Sequence, residues 1–399
     1  MVMQDASIRP EGPSPVPQSL ALGLEGVRLS NFRSYAYAEL ELARAPVVLA
    51  GANGSGKTNL LEALSLFSPG RSLRGANLTE LQCKAPALAS DLPAGTGSLW
   101  AVSASLARPD GGWDIGCGLA KASSEQRATR VLHLNGAPSS AAEIAELLPM
   151  LWLTPALDRL FLEGASERRR FLDRLVFALD SSHARRAARY ERAMHERNRL
   201  LRERVFNAVW LDGLEETMAR EGNEISAARL STIERLNAEL ALRDAAGVFP
   251  CAHLSLSDAM GERATDSQAL QTALQASRQR DAESGRSSVG PHLADLTVRY
   301  AEKDCEARDC STGEQKALLI SIVLANAWLQ TKLANVAPLL LLDEIAAHLD
   351  GRRRAALFEE ILALKAQAWL TGTDKSLFAG LLPHAQCFSI LSGQFVRQD

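Results

Sequence analysis

The octet Gly51-Ala52-Asn53-Gly54-Ser55-Gly56-Lys57-Thr58 fills the pattern G-x-x-x-x-G-K-[ST] and follows directly on the apolar run Pro46-Val47-Val48-Leu49-Ala50. A buried strand that ends in such a turn and feeds a helix is a phosphate-binding loop. Its glycines let the backbone adopt positive φ and turn N–H groups toward an anion, where a side chain would block the approach. Lys57 is placed to reach β- and γ-phosphates and Thr58 to hold Mg²⁺. Asn59 continues into a helix whose apolar face is Leu60, Leu61 and Leu64, so Gly51 to Asn59 is the expected nucleotide-binding segment.

Far down the chain, Pro338-Leu339-Leu340-Leu341-Leu342-Asp343-Glu344 reads as a second buried strand ending in two acids. A leucine run explains the strand but not paired carboxylates at its C-terminal end, the edge where α/β sheets bind ligands. Asp343 suits a Walker-B role, holding Mg²⁺ through water, and Glu344 suits activating an attacking water. With Lys57, these are the expected catalytic residues. Upstream of them, Asp309-Cys310-Ser311-Thr312-Gly313-Glu314-Gln315-Lys316 precedes an apolar helix over Ala317 to Trp328. Its N–H groups, the helix dipole and the Ser311 hydroxyl suit an anion. One chain does not readily bring two helix N-termini to one γ-phosphate, whereas two chains facing head to tail do. Ser311, Thr312, Gly313, Glu314 and Gln315 are therefore expected to act in trans. Asp350 is placed to cap the helix after the acids and to contact a partner chain, and Arg352, Arg353 and Arg354 read as a solvated helix start. Trp369-Leu370 leads into Thr371-Gly372-Thr373-Asp374, a strand end expected beside the γ-phosphate.

The remaining segments set out the architecture. Leu24, Val27, Leu29 and Phe32 mark a first strand, with an antiparallel partner near Glu39 to Leu42. Trp100, Val102, Ala104 and Leu106 alternate with polar residues, as do Trp113, Ile115, Cys117 and Leu119 after the turn at Pro109 to Gly112. This predicts a hairpin and, with Val131 to Asn135, an antiparallel sheet over residues 97–136. From about residue 139 to 283 the pattern is helical, apart from an extended segment at Pro149 to Pro155 and a break near Gly247 to Ser257. Ser166 is placed to cap one of these helices. Arginine then recurs at Arg174, Arg185, Arg186, Arg189, Arg192, Arg197, Arg199, Arg202 and Arg204, among Asp173, Glu191, Glu196 and Glu203. Two readings stand: a solvated arm laced with ion pairs, or unpaired arginines facing a nucleic-acid backbone. Arg71 and Arg74 likewise either return to a bound phosphate or are solvated. Residues 1–22, rich in proline and lacking a signal-peptide pattern, are read as a disordered extension.

The six cysteines are dispersed without a C-x-x-C pair, which argues against a zinc site and a disulfide framework and suits a reduced cytoplasm. No apolar run is read as long enough to cross a bilayer, so a soluble protein with no membrane partner is expected. The net charge of −3 says little, because nucleic-acid binding depends on where the positive charge sits.

Together, Gly51 to Thr58, Ser311 to Gln315, the Leu339 to Glu344 strand and the Asp350 loop resemble the head of an ABC-type ATPase of the SMC/Rad50 kind. Leu29-Ser30-Asn31-Phe32-Arg33-Ser34-Tyr35, the G-x-N-G-x-G-K-T form of the loop, Glu167-Arg168-Arg169-Arg170-Phe171-Leu172-Asp173 and Gly290-Pro291-His292 resemble, in that order, the RecF family of DNA repair proteins. The resemblance runs from about residue 24 to the C-terminus. It implies an α/β fold: an ABC-type ATPase head with a mixed sheet and an antiparallel β subdomain, plus an inserted helical lobe. The head would comprise residues 23–138 and 288–399, and the lobe 139–287. It also implies ATP and Mg²⁺ as cofactors, Thr373 and Asp374 as the switch residues in place of a histidine, an ATP-dependent homodimer, and binding of double-stranded and gapped DNA, with Arg71, Arg74, Arg168, Arg169 and Arg170 as candidate DNA contacts. Weak, DNA-stimulated ATP hydrolysis would drive release, in company with RecR and RecO at gaps and stalled forks and in the SOS response. His292 taken alone reads as a satisfied structural histidine. A transporter ATPase head is disfavoured by the long interval from Thr58 to Ser311, and a small-molecule kinase has no use for the second turn. Another SMC-like ATPase stays open, as does a nucleotide-gated DNA-binding module in which hydrolysis is incidental.

Overall fold

A computed structural model describes residues 20–83, 99–120, 129–205, 207–244, 247–257, 266–391 and 393–398. The expected extension therefore lies, up to residue 19, outside the described residues. The chain begins with strands β1 (Gly23–Phe32), β2 (Tyr35–Glu41) and β3 (Val47–Ala50) and helix α1 (Lys57–Ser65). Next come β4 (Ala101–Arg108), β5 (Gly111–Leu119), β6 (Arg130–Leu134), β7 (Ala137–Ser139), α2 (Ala141–Leu147) and β8 (Met150–Leu153). A mostly helical stretch holds α3 (Ala165–Phe177), α4 (Ser182–Arg202), α5 (Ala208–Asp244), β9 (Ala252–Ser257), α6 (Ser267–Ala276) and α7 (Arg278–Ser284). The chain then forms β10 (Asp295–Tyr300), β11 (Cys305–Glu306), α8 (Thr312–Ala334), β12 (Leu339–Leu342) and α9 (Gly351–Leu364). It closes with β13 (Ala368–Gly372), β14 (Gln386–Leu391) and β15 (Gln394–Gln398).

Five strands run parallel in the order β14-β3-β13-β12-β8, and β15 pairs antiparallel on the outer edge. The short inner strands are apolar on both faces, as a parallel sheet between two layers requires. Their period of two divides the side chains between two cores. Val47, Leu49, Leu339, Leu341 and Trp369 enter one, which holds Leu60, Leu61 and Leu64 of α1 and is closed by Val27, Leu29, Val102 and Ile115 of the second sheet. Val48, Leu340, Leu342, Ala368 and Leu370 enter the other, packed on α3, α8 and α9 through residues such as Leu175, Leu319 and Ile361. The second sheet is antiparallel in the order β2-β1-β4-β5-β6-β7. It contains the expected hairpin and the strand after it, and it also takes in the first two strands.

The structure departs from the sequence reading at three points. Pro149 to Pro155, expected inside the lobe, contributes β8, which pairs in parallel with β12 from Leu339↔Met150 to Leu342↔Leu153. All four of its residues are buried. The boundary expected at residue 139 therefore falls after β8, because four consecutive apolar residues find two buried faces only in the head sheet. Helix α3 starts at Ala165 with Gly164 at its cap and no side-chain cap bond, so Ser166 lies inside the first turn and does not cap it. Finally, Thr312–Ala334 is, by length and composition, apolar enough to cross a membrane, contrary to the expectation. Here it is the core helix of the head, with an unbroken buried run from Gln315 to Ala327.

In the lobe, α4 packs along α5 through Tyr190, Ala193, Met218 and Ala219. Arg197 is buried beneath that contact. It donates to Glu215 at 2.8 Å, Asp281 at 2.7 Å and the Leu274 carbonyl at 2.8 Å. Arg186 pairs with Asp180 at 2.6 Å, Arg189 with Glu221 at 3.5 Å and Arg199 with Glu203 at 3.0 Å, so at these positions the arm is ion-paired. Removing one partner of a buried pair strands the other in low dielectric. Arg197→Ala is therefore expected to cost about 3–5 kcal/mol in urea unfolding, whereas Arg199→Ala, on the surface, leaves the midpoint nearly unchanged.

Candidate nucleotide-binding site

The loop from β3 into α1 is held by the turn between β1 and β2. Gly56 has φ +112, and a Cβ there would lie 2.6 Å from the Tyr35 hydroxyl oxygen, so the position accepts only glycine. The Tyr35 hydroxyl donates to the Gly56 carbonyl at 3.0 Å. Asn59 donates to Ser34 Oγ at 2.9 Å, and Arg33 grips Glu62 with two bonds, at 2.9 and 3.1 Å. Gly56, Asn59 and Glu62 recur every three residues along one face of the helix. Tyr35, Ser34 and Arg33 meet them in reverse order, so the Asn31 to Tyr35 motif is a clamp on the phosphate loop. Arg74 reaches the same face, donating to Asn59 Oδ1 at 3.0 Å, whereas Arg71 is exposed.

Strand β13 lies between β3 and β12, and the Gly51 N–H donates to the Gly372 carbonyl at 3.1 Å. All three strands run parallel, so their carboxyl ends meet at one edge. Lys57 donates to the Gly51 and Ala52 carbonyls at 2.6 and 2.8 Å, and burial lowers its pKa against the pull of Glu344 and Asp343. The Thr58 hydroxyl donates to Asp343 Oδ1 at 3.0 Å. The Thr371 hydroxyl donates to the same oxygen at 2.8 Å and accepts the Glu344 N–H at 2.8 Å. Glu344 is held at φ +54, a left-handed conformation that costs a non-glycine residue about 1–3 kcal/mol. Burial pushes the Asp343 pKa up, opposed by the bonds from Thr371 and Thr58. A hydroxyl beside a carboxylate is an all-oxygen donor set, which fits a hard cation such as Mg²⁺.

The switch was expected at Thr373 and Asp374. Both are exposed, and the Asp374 carboxylate accepts the Ser376 N–H at 2.8 Å, capping the next turn. The residue that reaches the acids is Thr371, which the sequence reading passed over. Its signal was a polar residue closing the otherwise apolar run Ala368-Trp369-Leu370 on a fully buried strand.

Ser311 caps α8 in a reciprocal arrangement: its N–H and hydroxyl donate to Glu314 at 2.9 Å each, and its oxygen accepts the Glu314 N–H at 3.4 Å. The Lys303 ammonium, followed by these bonds, holds the Glu314 carboxyl down to about 2. Ser311, Thr312 and Gly313 are exposed, and a Cβ at Gly313 would meet open space. Gln315 is buried and donates to the Cys310 carbonyl at 2.9 Å. Among the described residues, Ser311 to Lys316 make no hydrogen bond to Gly51 to Thr58. Asp350 caps α9 by accepting the Arg353 N–H at 2.8 Å, a bond that lowers its pKa.

The arginine motif on α3 has a structural use. Arg168 pairs with both carboxylate oxygens of Asp295, at 2.8 and 2.7 Å, and Arg169 donates to the Ala294 carbonyl at 2.7 Å. Asp173 takes two bonds from Arg229, at 2.8 and 2.9 Å, and Arg229 also donates to the Pro291 carbonyl at 2.7 Å. His292 is satisfied by the Tyr190 hydroxyl at 2.7 Å and the Ser287 carbonyl at 2.9 Å. The two family motifs thus form one junction between lobe and head. The expected DNA contacts at Arg168 and Arg169 give way to this role, because their guanidinium groups are engaged inside it. Arg170 pairs with Glu167 and remains about half exposed.

Two expectations follow. A carboxyl whose pKa is raised on folding binds more protons folded than unfolded, so its contribution to stability falls as pH rises above its ordinary range. Asp343→Asn should therefore unfold at a higher temperature than the parent at pH 7, the difference shrinking toward pH 4 in paired thermal melts. Thr371→Val strips Asp343 and the Glu344 N–H of one partner each, a loss of about 1–3 kcal/mol in urea unfolding, and Thr371→Ser should recover it.

The comparisons agree with this geometry. The model of the RecF/RecN/SMC N-terminal domain matches residues 23–381. The DNA replication and repair protein RecF of Agrobacterium fabrum is 47% identical over 380 residues, covering 93% of this chain and 98% of the relative. RecF of Allorhizobium ampelinum is 46% identical over 373 residues, covering 92% and 96%. Among solved structures, the recombination mediator protein RecF with ATP superposes with a TM-score of 0.77 at 22% identity, covering 95% of this chain and all of that one. A Pyrococcus furiosus Smc head with an extended coiled coil superposes with a TM-score of 0.52 at 17% identity, covering 95% and 96%. With a head sheet, phosphate loop and paired acids arranged in this way, and relatives alike over nearly their whole length, the chain belongs to the RecF family of DNA replication and repair proteins, built on an ABC-type ATPase head.

Proposed function

We propose that this chain is an ATP-dependent DNA-binding protein of recombinational repair, in which two copies pair head to tail on ATP and release DNA when it is hydrolysed. The observation that carries the reading is the meeting of Lys57, Thr58, Asp343 and Glu344 at one sheet edge, with the capped, exposed Ser311 turn bonded elsewhere. Lys57 exchanges the Gly51 and Ala52 carbonyls for β- and γ-phosphate oxygens. Thr58, and Asp343 through water, would hold Mg²⁺, which would supply positive charge against the phosphates. Glu344 orients a water and takes its proton. Ser311 and the α8 N-terminus of the second copy donate to the γ-phosphate, approaching over Gly313, where no Cβ intervenes. Asp350 of each copy lies at the pairing face.

Double-stranded and gapped DNA lies across the paired heads, with exposed Arg71, Arg74 and Arg170 toward its phosphates. The reading for DNA rests on the RecF relatives, which are named DNA replication and repair proteins; we extend it to work in the cytoplasm beside RecR and RecO during the SOS response. DNA is expected to stimulate a weak basal hydrolysis.

Glu344→Gln should keep ATP binding and lose turnover by about 10²–10⁴-fold. In sedimentation it should dimerise with ATP but not with ADP or without nucleotide, and adding Ser311→Arg should return it to monomer with ATP still bound. A Glu344→Gln protein that stays monomeric with ATP bound would refute pairing through Ser311. Parent protein that hydrolyses ATP yet holds DNA as long as Glu344→Gln does would favour the gated module with incidental hydrolysis.

A further inference from the structure

The fold brings together two thiols that the sequence reading treated as dispersed. The chain pairs Cys305 with Tyr300 in the β10–β11 ladder, then turns through residues 307–309. Cys310 thereby comes back against Cys305, with their Sγ atoms 3.4 Å apart and both residues partly exposed. Cys310 immediately precedes the Ser311 cap. Its carbonyl accepts from Gln315 at 2.9 Å, and its Sγ contacts the Glu306 carbonyl at 3.5 Å.

The charged groups around the pair are tied to one another: Glu314 is paired with Lys303, and Arg299 with Asp304 at 2.6 Å. Burial, then the contact with Cys305, pushes the Cys310 thiol up. Two partly exposed sulfurs at this separation suit a dithiol in which one sulfur is oxidised and the other resolves it.

We propose that Cys305 and Cys310 form a hydroperoxide-oxidised dithiol, whose disulfide unseats the Ser311 turn and so controls pairing. One sulfur of the pair attacks the distal peroxide oxygen as its thiolate, the O–O bond breaks, and the leaving alkoxide or hydroxide takes a proton, giving an alcohol or water. The resulting sulfenic acid is then attacked by the other sulfur, which gives up its proton as the hydroxyl leaves, forming the S–S bond and one water. Two thiols lose two electrons and two protons, and the peroxide gains them. A disulfide spans about 2.05 Å, so closure from 3.4 Å draws Cys310 toward β11 and takes the Gln315 acceptor and the Ser311 N–H with it. The effect on pairing rests on the proposed role of Ser311 in trans, whereas formation of the disulfide does not.

The test takes the reduced full chain and adds equimolar hydrogen peroxide. Two of six thiols should be lost. Trypsin cuts after Lys303, Arg308 and Lys316, so peptides 304–308 and 309–316 should appear joined, two hydrogens lighter than their sum. Amide exchange across Ser311 to Lys316 should quicken, and ATP-driven dimer should vanish and return with dithiothreitol. Cys305→Ser and Cys310→Ser should show neither the joined peptide nor peroxide sensitivity. Absence of that peptide, oxidation of other cysteines instead, or a joined peptide with unchanged exchange would overturn the proposal. If reduced protein fails to dimerise with ATP, the pairing reading falls, while the peptide map and exchange still decide the dithiol.

Discussion

The Thr371 hydroxyl holds the two acids of the site in one arrangement, and the rest of the head is built to put it there. It donates a hydrogen bond to Asp343 and accepts one from the Glu344 N–H, while the Thr58 hydroxyl donates to the same Asp343 oxygen. This requires β13 between the phosphate-loop strand and the acid strand, all parallel and all ending at one level. Asp343 then stands in a position whose burial opposes its charge, and the two hydroxyls offset that cost. Glu344 keeps an unfavourable left-handed backbone because its N–H is claimed by a neighbour that strand packing does not let move.

The same economy governs the phosphate loop. Helix α1 is enclosed between two sheets, so it has no solvated face on which to shift. Its one polar edge is taken up by Arg33, Ser34 and Tyr35, with the Arg33–Glu62 pair as the inner anchor. A buried carboxylate such as Glu62 is tolerable only because a fixed guanidinium meets both its oxygens. The turn between β1 and β2 is thus part of the nucleotide site without touching the octet's glycines except at Gly56.

The lobe is joined to the head by charge rather than by apolar area alone. Arg168, Arg169 and Arg229 bind carboxylates and carbonyls of the segment that leads into β10, and His292 and Tyr190 close the same junction. Directional bonds of this kind fix an angle between two bodies more sharply than apolar contact does. The Ser311 turn lies just beyond, on the strand pair β10–β11 and the start of α8. A change at that turn is therefore felt beside a rigid frame.

Local chemistry was legible in the chain itself. The glycines and Lys57 of the phosphate loop, the acids closing a leucine strand, the Asp350 cap and the alternating hairpins each depend on neighbours within a few residues, where spacing and backbone preference suffice. The placement of β8, the structural use of Arg168 and Arg169, the role of Thr371 and the meeting of Cys305 with Cys310 were not legible in that way. Strand order decides which residues face Asp343, and an arginine reads the same in sequence whether its partner is a phosphate or Asp295. Such partners lie many residues away, and only the packing of two sheets around α1 and α8 brings them within bonding distance.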